Sequence, residues 1–130
     1  MSTFSTAATD TVHAQAVPLY EPDNVFAKIL AGSIPVTPVF ENKYVLAFND
    51  ITPKAAVHVL VIPKGAYINA HDFHDRAAPD AVVGFYKAIS TIVKRLGLDV
   101  TGYRLISNSG PDSHQEVPHY HVHILGGESL

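Results

Sequence analysis

One stretch restricts the fold more than any other. His58–Gly65, HVLVIPKG, is a near-continuous run of β-branched and aliphatic residues with no polar face. Its length and composition predict a central strand buried on both sides, so the rest of the chain must supply a sheet and cover for both faces. Pro63 and Gly65 end the strand. Upstream, Val39–Phe40, the turn Glu41-Asn42-Lys43 and the segment Tyr44–Phe48 read as a hairpin, followed by a second turn, NDITP, at Asn49–Pro53. Downstream, a loop around Asp72–Asp75 leads to one long helix at about Ala78–Leu96. Its apolar stripe is Val82, Phe85, Ile89, Ile92, Val93 and Leu96, and Gly97 closes it.

A strand at Tyr103–Asn108, the loop SGPDSHQEVP and a last strand inside PHYHVHILGG complete the chain. Near the start, Asp23 or Asn24 is positioned to cap a short helix carrying Val25, Phe26, Ile29 and Leu30, which Gly32 terminates. Strands run together rather than alternating with helices, so the class is α+β: a mainly antiparallel five-stranded sheet with one long and one short helix. Residues 1–23 are rich in Ser, Thr and Ala, contain no Lys or Arg, and read as a flexible N-terminal arm. Residues 24–130 then form the single domain.

Composition narrows the function. A net charge of −3 gives no basic face for nucleic acid. The absence of cysteine removes disulfides, thiolate metal sites and thiol nucleophiles. No apolar run of about 18 residues is present to span a membrane, and the first residues lack the pattern of a secretory leader. A cytoplasmic location is the expectation.

In the last strand His119, His121 and His123 alternate with Tyr120, Val122 and Ile124. Alternation puts the imidazoles on one face and an apolar set on the other, with successive histidine Cα atoms about 7 Å apart. The histidines therefore line a surface or cleft. Three chemistries suit them: a solvated polar face, a zinc site built on His-x-His with Glu116 or Asp112 behind it, or catalysis by imidazole. A third zinc ligand from the same strand is awkward for a tetrahedral ion. Asn108, His114, Gln115 and Glu116 in or before the preceding loop supply further hydrogen-bonding groups.

His119-Tyr120-His121-Val122-His123-Ile124-Leu125 resembles the defining motif of the histidine triad (HIT) superfamily, and the ending Leu125-Gly126-Gly127 resembles its Hint branch, the histidine triad nucleotide-binding proteins. FAKILAGSIP, LAFNDITPKAAVHVLVIPKG and GYRLISNSG extend the similarity across about Asn24–Gly127. The resemblance implies a purine nucleotide (AMP-like) substrate, a phosphoramidate of an amine, and transfer of its α-phosphorus to His121. It implies that His119 and His123 flank the phosphate as partly protonated donors, with His58 orienting His119. Asp50, with Asn49 beside it, would hold the ribose. Phe26, Ile29, Ile34, Phe48 and Ile51 would wall the base, Asn108 and Val117 would lie on the phosphate side, and Gln115 would be a further nucleotide-binding residue.

Glu116 stands where the branch usually has Ser three residues before the first triad histidine, and His114 where it usually has Gly. Glu116 becomes a candidate acid for the leaving group. The resemblance further implies a homodimer joined through the sheets, and no cofactor or metal. Three alternatives accompany it: a diadenosine polyphosphate hydrolase; a repair enzyme resolving adenylated DNA, against which 9 Lys and Arg to 12 Asp and Glu speak; and a nucleotide-binding or scaffold protein whose hydrolysis is incidental.

Overall fold

A computed structural model describes residues 19–130. The expectation of an arm over the first residues falls, up to Pro18, outside them. Five antiparallel strands form one sheet: β1 (Pro38–Glu41), β2 (Val45–Asn49), β3 (Val57–Pro63), β4 (Tyr103–Ile106) and β5 (Val122–Gly126), in the spatial order β1-β2-β3-β5-β4. The HVLVIP run is β3, at the centre, and Val59–Pro63 are all buried. The hairpin between β1 and β2 turns on Asn42, whose Oδ1 accepts from the backbone N–H groups of Tyr44 and Val45 at 2.8 and 3.0 Å.

The register sorts the sheet into two faces. Val45, Ala47, Val59, Val61, Val122 and Ile124 share one face with Tyr120 and pack against the long helix α3 (Pro79–Arg95) through Phe85, Ala88, Ile89, Ile92 and Val93. Burying each of the valine, isoleucine and phenylalanine side chains among them stabilises the fold by about 1.5–3 kcal/mol. Leu96, expected in the helix stripe, is instead the C-cap and is partly exposed, because the helical turn has already ended there. The opposite face carries Leu46, Phe48, Leu60 and Ile62, covered by Phe26 from the short helix α1 (Val25–Leu30). Asn24 is the N-cap of α1, its Oδ1 accepting from Ala27 N–H at 2.9 Å.

Two further helices were not expected. Asp72–Asp75, read as loop, lies in α2 (Ala70–Arg76), which Asn69 caps by accepting from Asp72 N–H. Phe73 is its only buried residue, so no apolar stripe announces this two-turn helix. A single turn, α4 (Leu98–Thr101), follows α3 and buries Leu98. β5 begins only at Val122, so His119, at a bend, and His121 belong to the segment that leads into it, although their side chains keep the expected separation from Tyr120 and Val122.

Candidate active site

The histidines lie on the α1 face of the sheet, but not on an open surface. His119 and His121 are buried and His123 is half-buried. The edge of Phe26 stands over His121 at 5.0 Å between ring centroids and 89° between planes. Phe26 meets Phe48 edge-on at 5.7 Å. His58 joins the cluster from β3: it pairs with Leu125, one step along from the Leu60–His123 pair, so His58 and His123 are diagonal neighbours on one face.

The partner of each ring nitrogen decides where each proton sits, because a carbonyl only accepts and a backbone N–H only donates. His121 Nδ1 lies 2.7 Å from the carbonyl of His119 and so carries the proton, leaving the lone pair on Nε2. His119 Nε2 donates to the carbonyl of Pro63 at 3.0 Å, so its Nδ1 accepts from the Tyr20 hydroxyl at 2.7 Å. His58 Nδ1 accepts from Lys54 N–H at 3.0 Å, so its Nε2 is protonated and donates to His123 Nδ1 at 2.9 Å. Asp50 Oδ2 sits 3.4 Å from the same His58 Nε2. His123 Nδ1 thus accepts, and the ring's own proton is on Nε2. Three residues of one type hold three distinct hydrogen-bonding roles.

Burial is the main reason all four imidazoles are held below the ordinary histidine pKa. It takes His119 down to about 4, against an opposing hydrogen bond to Pro63. It takes His123 to about 4, with His121 and His58 adding to the shift and Asp50 opposing it. His121 is lowered by burial, opposed by its bond to His119 and by the charges of Asp50 and Glu116. His58 is lowered by burial and by Lys54, against Asp50. At neutral pH the rings are therefore uncharged. This corrects the expectation that His119 and His123 act as partly protonated donors. A second correction concerns His58, whose partner is His123 and not His119.

The remaining expected residues divide. Asp50 uses Oδ1 to accept from Thr52 N–H at 2.8 Å, closing the NDITP turn, while Oδ2 faces His58. Val117 packs on the Phe26–Phe48 cluster. Glu116 is exposed, yet close enough for its charge to act on His121. Asn49 is exposed at the end of β2, Asn108 is half-buried beyond β4, and Ile51 is 97% exposed, so it walls nothing within the chain itself. Ile29 and Ile34 line a cleft of about 410 Å³ with Pro35, Leu46, Glu41 and Lys64, and no histidine reaches it. Gln115 is engaged by its own loop: its Oε1 accepts from Gly110 N–H, and its Nε2 donates to the carbonyls of Ile68 and Val117. His114 adopts the left-handed conformation, φ 60°, which accounts physically for glycine being usual at this position.

Sequence reasoning missed Tyr20, which it assigned to the arm. The one signal was that Tyr20 is the only tyrosine in the first 23 residues. The backbone groups of Lys54 and Pro63, which assign the protons of His58 and His119, had no sequence signal at all.

Asp50, His58 and His123 each bring one possible metal-ligating atom within 4.8 Å of the others. The donor set does not suit a cation. A neutral histidine that ligates through Nε2 must carry its proton on Nδ1 and give it to an acceptor. His58 Nδ1 instead faces the N–H of Lys54, a donor, so ligation through Nε2 would set two N–H groups against each other.

The HIT domain model matches residues 31–130. The chain belongs to the HIT family. A HIT-like protein of Azospirillum brasilense is 47% identical over 111 residues, covering 85% of this chain and 91% of its own. A 14 kDa zinc-binding protein of Brassica juncea is 36% identical, with 83% and 96% covered. Among solved structures, a HIT family hydrolase from Clostridium thermocellum has a TM-score of 0.77 at 36% identity, covering 85% of this chain and 95% of its own. The histidine triad nucleotide-binding protein of Candida albicans has a TM-score of 0.70 at 31% identity, with 78% and 73% covered. The α+β sheet with its long helix is therefore the HIT fold, shared with a family hydrolase and a nucleotide-binding member.

Proposed function

We propose that this HIT protein is a nucleotide hydrolase that cleaves nucleoside phosphoramidates, of the AMP–amine kind, through a nucleotidyl intermediate on His121. One observation carries the reading: the His119 carbonyl holds the proton of His121 on Nδ1, which leaves Nε2 unprotonated as a nucleophile at neutral pH. Nε2 attacks the α-phosphorus, the P–N bond breaks, and the amine departs with a proton. Glu116, within electrostatic reach of His121, is the candidate donor of that proton in its protonated form, which the anionic phosphate of the substrate beside it favours. Water then attacks the phosphorus and gives its proton to the Glu116 carboxylate, the P–N bond to His121 breaks, and the nucleotide departs with His121 and Glu116 restored.

In this reading His123 donates from Nε2 to a phosphoryl oxygen, in the tautomer that His58 imposes. Asp50, anchored by the NDITP turn, takes the ribose hydroxyls, and the Phe26–Phe48 surface receives the base. The zinc-binding name of the Brassica relative suggests a second reading, but the donor of Lys54 against His58 Nδ1 disfavours it here.

Mass spectrometry after brief reaction with an adenosine phosphoramidate and an acid quench tests the proposal. An adenylyl adduct on the wild type that is absent from His121→Ala supports it. Binding retained by His121→Ala, with no turnover by either protein, would favour a nucleotide-binding role instead. A preference for diadenosine polyphosphates would move the substrate class.

We also propose a homodimer in the cytoplasm. β4 is an edge strand, and its Tyr103 and Leu105 are 45% and 44% exposed on the α3 side of the sheet. A second copy would cover both the edge and this apolar strip. No helix among the described residues is long and apolar enough to cross a membrane.

A further inference from the structure

Tyr20 lies outside both the residues matched by the family model and the expected domain, yet it reaches the first histidine of the triad. His119 has no solvent exposure, and its Nε2–H is engaged by the carbonyl of Pro63. Its Nδ1 is then a buried lone pair that needs a donor. Among the described residues the Tyr20 hydroxyl supplies it, at 2.7 Å, with the tyrosine ring edge-on to the imidazole at 5.7 Å and 66°. The segment is held on its other side as well. The carbonyl of Glu21 accepts from both Asn24 N and Asn24 Nδ2, at 3.1 and 2.7 Å, which ties it to the cap of α1, the helix that carries Phe26 over His121.

The next link is covalent. The carbonyl of His119 is the group that holds His121 Nδ1–H. We infer that Tyr20 is a positioning residue for His121: its hydroxyl locks the tautomer and orientation of His119, and the backbone of His119 then locks the tautomer of His121. The inference rests on the reading of His121 as nucleophile. Without the hydroxyl, His119 has a buried acceptor with no partner. The ring gains an incentive to rotate or to exchange its proton between nitrogens, and either change disturbs the Pro63 bond and the peptide that orients His121. Tyr20 touches neither substrate nor phosphorus in this scheme.

Tyr20→Phe is the variant of choice, since it keeps the ring that packs on His119 and removes only the donor. Two readouts are needed. Long-range ¹H–¹⁵N NMR of the imidazole nitrogens in the wild type should show one protonated and one bare nitrogen on each of His119 and His121. In Tyr20→Phe, His119 should shift and His121 should lose its single tautomer. In steady-state hydrolysis of an adenosine phosphoramidate, kcat should fall by about ten- to hundredfold with KM within about twofold, because the defect lies in alignment and not in binding.

Unchanged histidine spectra in Tyr20→Phe would overturn the inference whatever the kinetics. Altered spectra with an unchanged kcat would overturn the catalytic part of it. If the wild type neither turns over substrate nor forms an adduct, the hydrolase reading fails on its own, and the spectra still decide whether Tyr20 governs His119 and His121.

Discussion

Lowering the pH from 8 to 5 should destabilise this protein well before its carboxylates titrate. His119 and His123 are each held at about 4 in the fold, against about 6.5 in an unfolded chain. Between those values the unfolded state binds protons that the folded state refuses, so stability is full above pH 6.5 and is lost as the pH falls toward 4. Integrating the proton difference gives about 2 kcal/mol for the fully buried His119 between pH 8 and pH 5, and the half-buried His123, screened by solvent, adds a smaller amount of the same sign. His58 and His121 are lowered as well, and their contributions have the same sign. Asp72, lowered chiefly by its hydrogen bond from Arg76, acts in the opposite range: its contribution is present above the ordinary carboxylate pKa and is lost below it, outside this window. The assay is urea unfolding followed by far-ultraviolet circular dichroism at fixed protein concentration, at half-unit steps of pH. His123→Asn removes one of the four titrating rings, and the loss of stability between pH 8 and 5 should shrink by less than half. A midpoint that is the same at pH 5 and pH 8, or a pH dependence unaltered in His123→Asn, would refute the assignment of these rings as buried and neutral.

Three further outcomes follow from individual contacts. Asn24→Ala removes the cap of α1 and should cost about 1 kcal/mol, read by chemical denaturation, while loosening the hold of Phe26 on His121. His114→Val should be about 1–3 kcal/mol less stable than His114→Gly, because a β-branched residue strains at φ 60° where glycine does not; equal melting temperatures would contradict the left-handed geometry. Gly84→Ala should destabilise by about 1–3 kcal/mol, because a Cβ there would meet the ring of Tyr44, and Tyr44→Ala in the same chain should recover part of the loss in a double-mutant cycle.

Much of the architecture was legible in the residues alone, for reasons that are local. The short, β-branched HVLVIP run, ended by Pro63 and Gly65, read as a strand covered on both sides, and α3 declared itself by the spacing of Phe85, Ile89, Ile92 and Val93. Alternation in the last segment correctly separated Tyr120, Val122 and Ile124 from the histidines. α2 was missed because two turns with one buried residue carry no period. The histidine face was identified, but its burial was not, since the cover comes from Phe26 and Tyr20, about a hundred residues away. A sequence determines which side chains a strand points to one face. It does not determine which carbonyl or N–H waits opposite each ring nitrogen. The tautomers of His58, His119, His121 and His123 depend on Lys54, Pro63, Tyr20 and the peptide of His119 itself. Hydrogen bonds of this kind join atoms brought together only by packing, and they divide three identical side chains into a bare nitrogen, a neutral donor and a structural post.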